Sequence, residues 1–429
     1  MKLPLPNRKA RSATPTFHAP RPGFAPEASQ AELTHELGSV LEHLATIRRR
    51  RKLRRDPVYR EVRSEIDRVL GGFEWRLSDR EPGDGQRLRA VAWNVERGKR
   101  LSGIISTLGE HPELKDADIV MLNEVDIGMG RTGNVNVPRA VAEALGYDYV
   151  YANQELVLSP GDAFERNHAE PNTLALHGLA LLTRLPITRI SAVGIPEFRD
   201  KFHATEKRLG TKRALVCEVA LSDGPLTVVV SHLDPFASPR HRGRQMRRII
   251  NHVDALGNSR VLLGGDLNTN TWDLGSKVGL FANLAHKLTR FGFDGTIRQG
   301  MSPERVFERS VFAAMRRAGL EVDGFNDRSR GTIYYDMNDP ELRSWTEIYV
   351  PKPVQNYLDR NLVRWGGVIP LKVDWMAGRE LKALSAAVVE RPQEGRLPIS
   401  DHNPLRVDVS TTTPRGFELP PGRVPRPPV

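Results

Sequence analysis

The chain has 429 residues, with 63 Lys and Arg against 52 Asp and Glu, and a formal net charge of +11 at pH 7. No apolar run approaches the length of a membrane span, the basic start MKLPLPNRKARSATP lacks the apolar stretch of a secretory signal, and the single cysteine, Cys217, cannot form an internal disulfide. We therefore expect a cytoplasmic protein with a large buried core, and the positive charge favours a polyanionic partner.

The N-terminal part predicts a tail followed by two helices. Residues 1–27 are rich in proline and basic residues, which predicts disorder. A helical repeat of apolar residues then predicts an amphipathic helix: Leu33, Leu37, Leu41, Leu44 and Ile47. Asp56 followed by Pro57 is typical of an N-cap and predicts a second helix. We expect residues 28–78 to form a helical N-terminal appendage, either packed on the core or used in self-association.

Two clusters concentrate the positive charge. Seven of the eight residues in Arg48–Arg55, RRRRKLRR, are basic, which exceeds what a solvated helix face requires and favours attachment to nucleic acid or an anionic membrane surface. The second cluster, Arg240–Arg248, lies in a predicted helix over 240–256. It is more typical of a solvated helix face.

From residue 88 onward, apolar strand-like segments repeatedly end in polar residues. These are Asn94 in LRAVAWNVERG, Glu124 in ADIVMLNEVD, His232 in LTVVVSHLD, Asp266 and Asn268 in VLLGGDLNTN, Asp374 in LKVDWMAG, and Asp401 and His402 in LPISDHNPL. Any one such residue is typical of a turn former. Because six segments repeat the pattern, we predict that their ends converge on one site.

A catalytic domain is expected over residues 87–410, with an insert at about 272–370 and a flexible tail over 411–429. Apolar spacing in the insert predicts helices over Val278–Phe291 and Pro303–Gly319. The insert is also dense in Tyr and Trp. We interpret these aromatics as the insert's own small core, with contacts to bases or a lipid interface as the alternative.

The motifs WNVERG, NEVD, SHLDP, GGDLNTN, VDW and SDHNP occur in an order that resembles the endonuclease/exonuclease/phosphatase superfamily, the DNase I-like metal-dependent phosphoesterases. The resemblance runs from about residue 88 to 409, and GDLN with SDHNP is its most specific part. It implies an α/β fold, a four-layer sandwich of two mixed β-sheets flanked by helices. The insert exceeds what a minimal member of the superfamily contains.

The resemblance also implies roles for the strand-end residues. It implies metal-binding by Asn94, Glu124 and Asp401, whose hard oxygen ligands suit Mg²⁺ or Mn²⁺. It implies catalytic roles for five further residues: Asp266 as general base, Asn268 holding phosphate or water, His402 oriented by Asp374 as a cation facing the phosphate, and His232 contacting the phosphate or leaving group.

Two further groups are less well defined by the sequence. Arg131, Asn134 and Asn136, in GRTGNVN, could bind substrate as a phosphate-side loop, although a surface turn rich in Asn and Gly explains them equally well. His177 falls outside the matched motifs, and we expect a structural role for it.

The expected function is that of a divalent-metal-dependent phosphoester hydrolase, most simply a phosphodiesterase acting on nucleic acid as an endo- or exonuclease. The alternative is a phospholipid or phosphoinositide phosphoesterase that docks on anionic membranes through Arg48–Arg55. A catalytically inactive binding module is disfavoured because every catalytic residue type is present.

Overall fold

The computed structural model describes residues 23–161, 165, 170–269, 277–336 and 352–411. Within these ranges the α-helices are α1 (Gly38–Thr46), α2 (Arg50–Leu53), α3 (Pro57–Glu61), α4 (Arg63–Leu70), α5 (Leu101–Glu110), α6 (Val137–Leu145), α7 (Pro239–Leu256), α8 (Lys277–Gly300), α9 (Arg309–Arg317) and α10 (Lys352–Leu362). None of these helices combines the length and apolar character that a bilayer crossing requires.

The strands of the described residues form two mixed sheets and two short two-stranded sheets. In chain order they are β1 (Gln30–Ala31), β2 (Phe73–Arg76), β3 (Leu88–Arg97), β4 (Ile119–Ile127), β5 (Asp148–Val157), β6 (Leu176–Thr183), β7 (Ile187–Gly194), β8 (Arg208–Gly210), β9 (Arg213–Leu221), β10 (Gly224–Val230), β11 (Val261–Asp266), β12 (Ile333–Asp336), β13 (Val368–Leu371), β14 (Asp374–Arg379), β15 (Lys382–Val388), β16 (Gln393–Glu394), β17 (Leu397–Pro398) and β18 (Leu405–Ser410). The large sheet has the order β1-β2-β5-β6-β4-β3-β18-β15, with β8 paired to β5, and the small sheet has the order β14-β11-β10-β9-β7.

Three apolar cores separate four layers, which confirms the expected sandwich. The central core lies between the sheets and contains Ala92 and Met121 from the large sheet with Val228 and Leu262 from the small one. A second core packs α1, α4, α5 and α6 on the outer face of the large sheet. A third packs α7 and α9 on the outer face of the small sheet. Alternate strand residues therefore enter different cores, as the period of a β-strand requires.

The N-terminal segment packs on the core, which is the first of the two alternatives, and it also adds two strands to the large sheet. β2 pairs with β5 and extends the large sheet, and β1 pairs with β2. Leu44 and Ile66 are fully buried in the outer core, which explains the apolar spacing that predicted helices. The predicted tail also ends too late, because Phe24 exchanges two backbone hydrogen bonds of 2.9 Å with Ile190.

The predicted helix starts in this segment are partly correct. Asp56 caps α3 by accepting a hydrogen bond of 3.0 Å from the Tyr59 N–H, as its sequence indicates. The first helix is shorter than predicted, because Leu33 and Leu37 precede α1. Residues 1–22 and 412–429, most of both predicted tails, lie outside the described residues.

The insert contributes to the helical layer over the small sheet. α9 packs against α7, and its Phe312 ring meets the Trp375 ring at a centroid distance of 4.8 Å. A fully buried ion pair between Arg242 of α7 and Glu308 fixes this contact. The predicted helix over 303–319 is shorter, Arg309–Arg317, and Trp345 and Tyr349 lie outside the described residues. Phe312 thus belongs to the core over the small sheet, and the interpretation of the Tyr and Trp residues as the insert's own small core stays a prediction.

Candidate active site

Strand parity brings four of the predicted residues to one edge between the two sheets. Ala92 of β3, Val230 of β10, Leu262 of β11 and Met376 of β14 all face the central core. Positions two residues or an even number away share that face. The polar residues of matching parity are Asn94, His232, Asp266 and Asp374, and each is at most 4% exposed.

A local break in the strand pattern presents Glu124 at the same edge. The register of β4 shifts between Asn123 and Val125, and Glu124 has a φ of 53°. This bulge changes the direction of its side chain, which is 26% exposed, whereas Asn123 is fully buried. The Asn123 Oδ1 accepts a hydrogen bond of 2.7 Å from the Asp266 N–H. This hydrogen bond joins the ends of β4 and β11.

The glycine directly before Asp266 is required by close backbone approach. Gly265 has a φ of 129°, and a Cβ atom there would lie 2.1 Å from the Ser231 carbonyl oxygen. Only glycine fits such a position without strain. The strand that carries Asp266 can therefore lie tightly against the segment that leads to His232.

Asp374, His402 and Asp266 form the most compact cluster of the site. The His402 Nδ1 lies 2.8 Å from the Asp374 Oδ2, and its Nε2 lies 4.0 Å from the Asp266 Oδ2. The three residues each offer one atom within 4.8 Å of the others. The His402 imidazole is thus held between two buried carboxylates.

This arrangement gives His402 and Asp266 unusual titration behaviour. Burial alone would lower the pKa of His402, but the charges of Asp374 and Asp401 outweigh it and raise the pKa well above 6.5. Burial and the neighbouring Asp374 charge raise the pKa of Asp266 to about 7. At neutral pH the site therefore combines a charged imidazole with a carboxyl group that both releases and accepts a proton.

His232 also lies close to Asp266, but unlike His402 its imidazole is neutral at neutral pH. Its Nε2 is 3.5 Å from the Asp266 Oδ2 and 3.8 Å from the Glu124 Oε1. Burial, reinforced by the charge of Lys212, lowers the pKa of His232 well below 6.5. Burial opposes ionisation of the Glu124 carboxyl, but positive charges around it, including Arg97 and Lys212, outweigh burial and hold its pKa well below the usual value. A neutral imidazole therefore faces an ionised carboxylate.

The remaining predicted residues surround this group. The Asn94 Nδ2 lies 3.2 Å from the Glu124 Oε1 and 3.4 Å from the Asp266 Oδ2. The Asn268 Nδ2 donates to the Asp266 Oδ2 at 3.0 Å and to the Leu233 carbonyl at 2.9 Å. Asn268 has a φ of 48°, so the chain leaves the extended conformation after Asp266 and the residues 266 and 268 do not simply alternate along a strand.

Asp401 lies at the exposed margin of the site. Its side chain is 54% exposed, and its Oδ2 lies 4.0 Å from the His402 Nε2. The preceding Ser400 is buried and donates a hydrogen bond of 2.7 Å to the Asn94 carbonyl. The SDHNP segment is therefore hydrogen-bonded to the end of β3, which carries Asn94, the first of the predicted strand-end residues.

The donor set fits a hard divalent cation. The Asp374 Oδ1 is buried and accepts no hydrogen bond from the described residues, and Glu124 is accessible from solvent. Carboxylate oxygens are the ligands that Mg²⁺ and Mn²⁺ prefer. The Asn94 Oδ1 accepts a hydrogen bond of 3.1 Å from the Glu96 N–H, so the predicted metal ligation by Asn94 requires its amide to turn over.

Thr332, a residue of the insert that the sequence analysis missed, braces both partners of the Asp374–His402 pair. Its Oγ1 accepts hydrogen bonds of 3.0 Å from the N–H groups of Val373 and Asp374. Its carbonyl accepts a hydrogen bond of 2.7 Å from the N–H of Asn403. Thr332 is fully buried. A single threonine far from the motifs carries no sequence signal that would have identified it.

The substrate contacts of Arg131, Asn134 and Asn136 stay a prediction, and all three residues also have structural partners. Arg131, with a side chain 2% exposed, makes a bidentate ion pair with Asp126 at 2.6 and 3.1 Å. Asn134 bonds the backbone of residues 171 and 173. Asn136 caps α6 by accepting a hydrogen bond of 3.1 Å from the Arg139 N–H. These contacts order the loop that follows β4.

His177 has the structural environment that we expected, and Cys217 is also buried. The His177 Nδ1 lies 2.7 Å from the Asp126 Oδ1, and both side chains are buried. Cys217 is buried in the central core, and burial raises the pKa of its thiol. A protonated thiol in an apolar environment is chemically inert.

Fold and site together define a phosphoesterase-type α/β sandwich with a convergent carboxylate and histidine centre. A family model described as the endonuclease/exonuclease/phosphatase family matches residues 91–402. The chain belongs to this family. No curated protein matches the chain.

Solved structures with a similar fold share little sequence with this chain. An endonuclease/exonuclease/phosphatase from Beutenbergia cavernae is 17% identical, with 76% of this chain and 72% of that chain covered and a TM-score of 0.44. The human Nocturnin catalytic domain with bound sulfate is 15% identical, with 80% of this chain and 97% of that chain covered and a TM-score of 0.43. The 3'-5' exonuclease NExo from Neisseria meningitidis is 16% identical, with 75% of this chain and 98% of that chain covered and a TM-score of 0.40.

The two site histidines are predicted to titrate apart. At pH 6.5, where an ordinary histidine is half protonated, His402 should be charged and His232 neutral. Nitrogen NMR of labelled histidine measures both states, and His402→Gln and His232→Gln assign the signals. Asp374→Asn removes the carboxylate that favours the imidazolium, so it should lower the pKa of His402. Two histidines that both titrate near 6.5 would contradict this description of the site.

Thr332→Val is predicted to loosen the Asp374–His402 pair. The substitution leaves two buried N–H groups without an acceptor, which costs about 1–3 kcal/mol for each group. The free energy of unfolding should fall, and the pKa of His402 should move toward 6.5 because Asp374 is no longer held. Denaturant unfolding and the histidine titration measure the two effects. Thr332→Ser keeps the hydroxyl and should retain the high pKa. An unchanged pKa in Thr332→Val would show that the threonine only supports packing.

Proposed function

We propose that the protein is a divalent-metal-dependent phosphodiesterase that acts on nucleic acid. The observation that carries the proposal is the buried contact of the charged His402 with Asp266, 4.0 Å apart, beside the ionised Glu124. Phosphoester hydrolysis needs an activated water and positive charge near the nonbridging oxygens, and these residues supply both kinds of group. The cytoplasmic location stays a prediction.

The proposed roles follow from the charge states. Asp266, with a pKa of about 7, accepts a proton from the attacking water, and the Asn268 amide beside it orients that water or a phosphate oxygen. His402 keeps its proton through Asp374 and faces the phosphate as a cation. The neutral His232 is placed to hydrogen-bond a phosphate oxygen or the leaving group.

Glu124 would be the principal metal ligand, and Asn94 and Asp401 would be the other ligands from the protein. When bound, Mg²⁺ or Mn²⁺ would neutralise charge on the phosphate oxygens. The exposure of the Asp401 carboxylate supports this assignment. Ligation by Asn94 would require its amide to rotate, because its Nδ2 and not its Oδ1 faces Glu124.

The distribution of exposed cations supports a polyanionic substrate. Six basic residues of the Arg48–Arg55 run are exposed and form no ion pair with the described residues: Arg48, Arg49, Arg51, Lys52, Arg54 and Arg55. Arg50 differs, because it pairs with Asp200 at 3.0 Å and lies over the Phe202 ring. The run is therefore anchored to the segment that follows β7. The same cations could bind anionic lipid, so a phospholipid phosphoesterase is the second candidate.

A substrate panel tests the proposal. Purified protein with Mg²⁺ or Mn²⁺ is incubated with DNA, RNA, anionic phospholipid vesicles and a nitrophenyl phosphodiester. We expect hydrolysis of nucleic acid and of the small phosphodiester, its loss with excess EDTA, and its loss in Glu124→Gln with an unchanged fold by circular dichroism. Full activity with EDTA would exclude the metal mechanism. Hydrolysis of phospholipid alone would establish the second candidate instead.

Neutralising exposed arginines is predicted to weaken substrate attachment without affecting the chemistry. Arg48, Arg49 and Arg51 replaced together by Gln should reduce affinity for single-stranded nucleic acid. The slope of log K against log salt should become shallower by up to about 0.7 for each phosphate that the variant no longer neutralises, because fewer counterions are released. Hydrolysis of the nitrophenyl phosphodiester should be unchanged. Anisotropy titrations at several salt concentrations measure the slope.

A matched control replaces three other exposed arginines, Arg316, Arg317 and Arg396, by Gln. It changes the net charge equally, so an effect of overall charge alone would appear in both variants. Equal slopes in the two triple variants would mean that the Arg48–Arg55 run is a solvated surface. A loss confined to anionic vesicles would support membrane docking by this run.

A further inference from the structure

An exposed aromatic ring lies on the segment between β7 and β8, which is hydrogen-bonded to the chain that follows His232. Phe198 is 47% exposed, although it lies in a short sequence of charged residues, PEFRD. Single exposed apolar residues are common on protein surfaces and need no explanation by themselves. Phe198 differs because buried polar groups fix its position relative to His232.

Two hydrogen-bonded links connect Phe198 to the end of β10. The Phe198 N–H donates to the Asp234 Oδ2 at 2.7 Å, and Asp234 follows His232 by two residues. The Gln245 Nε2 donates to the Pro196 carbonyl at 2.6 Å, and its Oε1 accepts from the Asp234 N–H at 3.2 Å. Asp234 and Gln245 are buried. The segment that carries Phe198 is therefore held against the segment that carries His232.

The ring itself is supported from one side. It meets the His241 ring edge-on at a centroid distance of 5.7 Å and an interplanar angle of 74°. The His241 Nε2 lies 2.7 Å from the Pro196 carbonyl oxygen, so this nitrogen donates, and the Nδ1 accepts a hydrogen bond of 2.9 Å from Arg244. An imidazole with both nitrogens occupied cannot rotate away. The Phe198 ring thus rests on a fixed support and remains half open to solvent.

Three exposed arginines lie on the same two segments as the ring and the histidine that supports it. Arg199 is the next residue in the chain, Arg244 binds the histidine on which the ring rests, and Arg240 belongs to the same turn of α7. All three are exposed. An aromatic face next to several guanidinium groups is the combination that binds a nucleobase together with its phosphate.

We propose that Phe198 stacks on an unpaired base of a single-stranded nucleic acid, next to the scissile phosphate, while Arg199 and Arg244 contact the neighbouring backbone. This inference rests on the proposed function and adds a substrate class to it, single-stranded rather than fully paired nucleic acid. A base in a duplex already stacks on both neighbours, so the ring can receive only a base that is free.

A membrane-inserting loop is the other use of an exposed aromatic residue, and the surroundings oppose it. The immediate neighbours of Phe198 are Glu197 and Arg199, followed by Asp200. Insertion would bring two carboxylates toward the acyl region, and charged groups there are costly. Interfacial anchors instead combine several apolar residues on one face. The charges around Phe198 therefore favour a nucleic acid.

The test compares oligonucleotides with and without bases. Anisotropy with EDTA measures the binding of a labelled single-stranded oligonucleotide and of an abasic strand of equal length. Phe198→Ala should weaken binding of the normal strand by about five- to a hundredfold, the usual range for loss of one stacked base, and should leave abasic binding unchanged. Phe198→Trp should retain affinity, and Phe198→Leu should lose it, because the apolar volume remains but the aromatic face is gone.

Tyr357→Ala is the matched control, since Tyr357 is 46% exposed but lies on α10 of the insert. It should leave binding unchanged. Equal losses for normal and abasic strands, or full affinity in Phe198→Leu, would overturn the stacking proposal. So would a loss by Phe198→Ala that appears only on anionic vesicles. If the wild type cleaves nucleic acid while Phe198→Ala is unaffected, only the stacking proposal fails; if the wild type neither binds nor cleaves nucleic acid, the proposed function fails with it.

Discussion

The ion pair between Asp374 and His402 is the interaction on which the site depends. Asp374 and Asp266 are both buried at the edge between the sheets, and two neighbouring carboxylates cannot both ionise there without compensation. The His402 imidazole lies between them, 2.8 Å from one and 4.0 Å from the other. Removing one partner from such a pair leaves an uncompensated buried charge, which typically costs about 3–5 kcal/mol. The bracing by Thr332 explains how the insert contributes to the site without carrying a strand-end motif.

A second group of buried charges lies on the other side of Glu124 and fixes the loops around the site. Arg131 joins Asp126 to Glu165 and Glu206, and Arg208 joins Glu206 to Glu155. Lys201 extends this series of ion pairs from Glu155 to Glu197, the residue before Phe198. Because each carboxylate in this network has a cationic partner, a predominantly basic protein can bury many acidic side chains here. The network connects the end of β4 to the segment that carries Phe198.

Much of the candidate site could be predicted because its signal is local. A polar residue at the end of an apolar strand is visible in a short stretch of sequence, and strand parity then brings Asn94, His232, Asp266 and Asp374 to one face. The role of Arg131 could not be predicted, since its partner Glu206 lies 75 residues away. The structure of the N-terminal segment could be predicted only in part. Its apolar spacing indicated helices, but the pairing of β2 with β5 depends on a strand that follows much later in the chain. Asn268 lies beside Asp266 as predicted, although its backbone leaves the extended conformation.

The central claim is that Asp266 acts as a base beside a positively charged His402. Replacing the Asp266 carboxylate by an amide of the same shape tests this claim most directly. Wild type and Asp266→Asn are compared by single-turnover cleavage of a single-stranded oligonucleotide with Mn²⁺, and binding of the same strand is measured in parallel. We predict that the cleavage rate falls by at least about a hundredfold, the usual scale for a lost general base, while affinity is retained. An unchanged rate, or an affinity that collapses together with the rate, would contradict the account and assign Asp266 to the structure of the site.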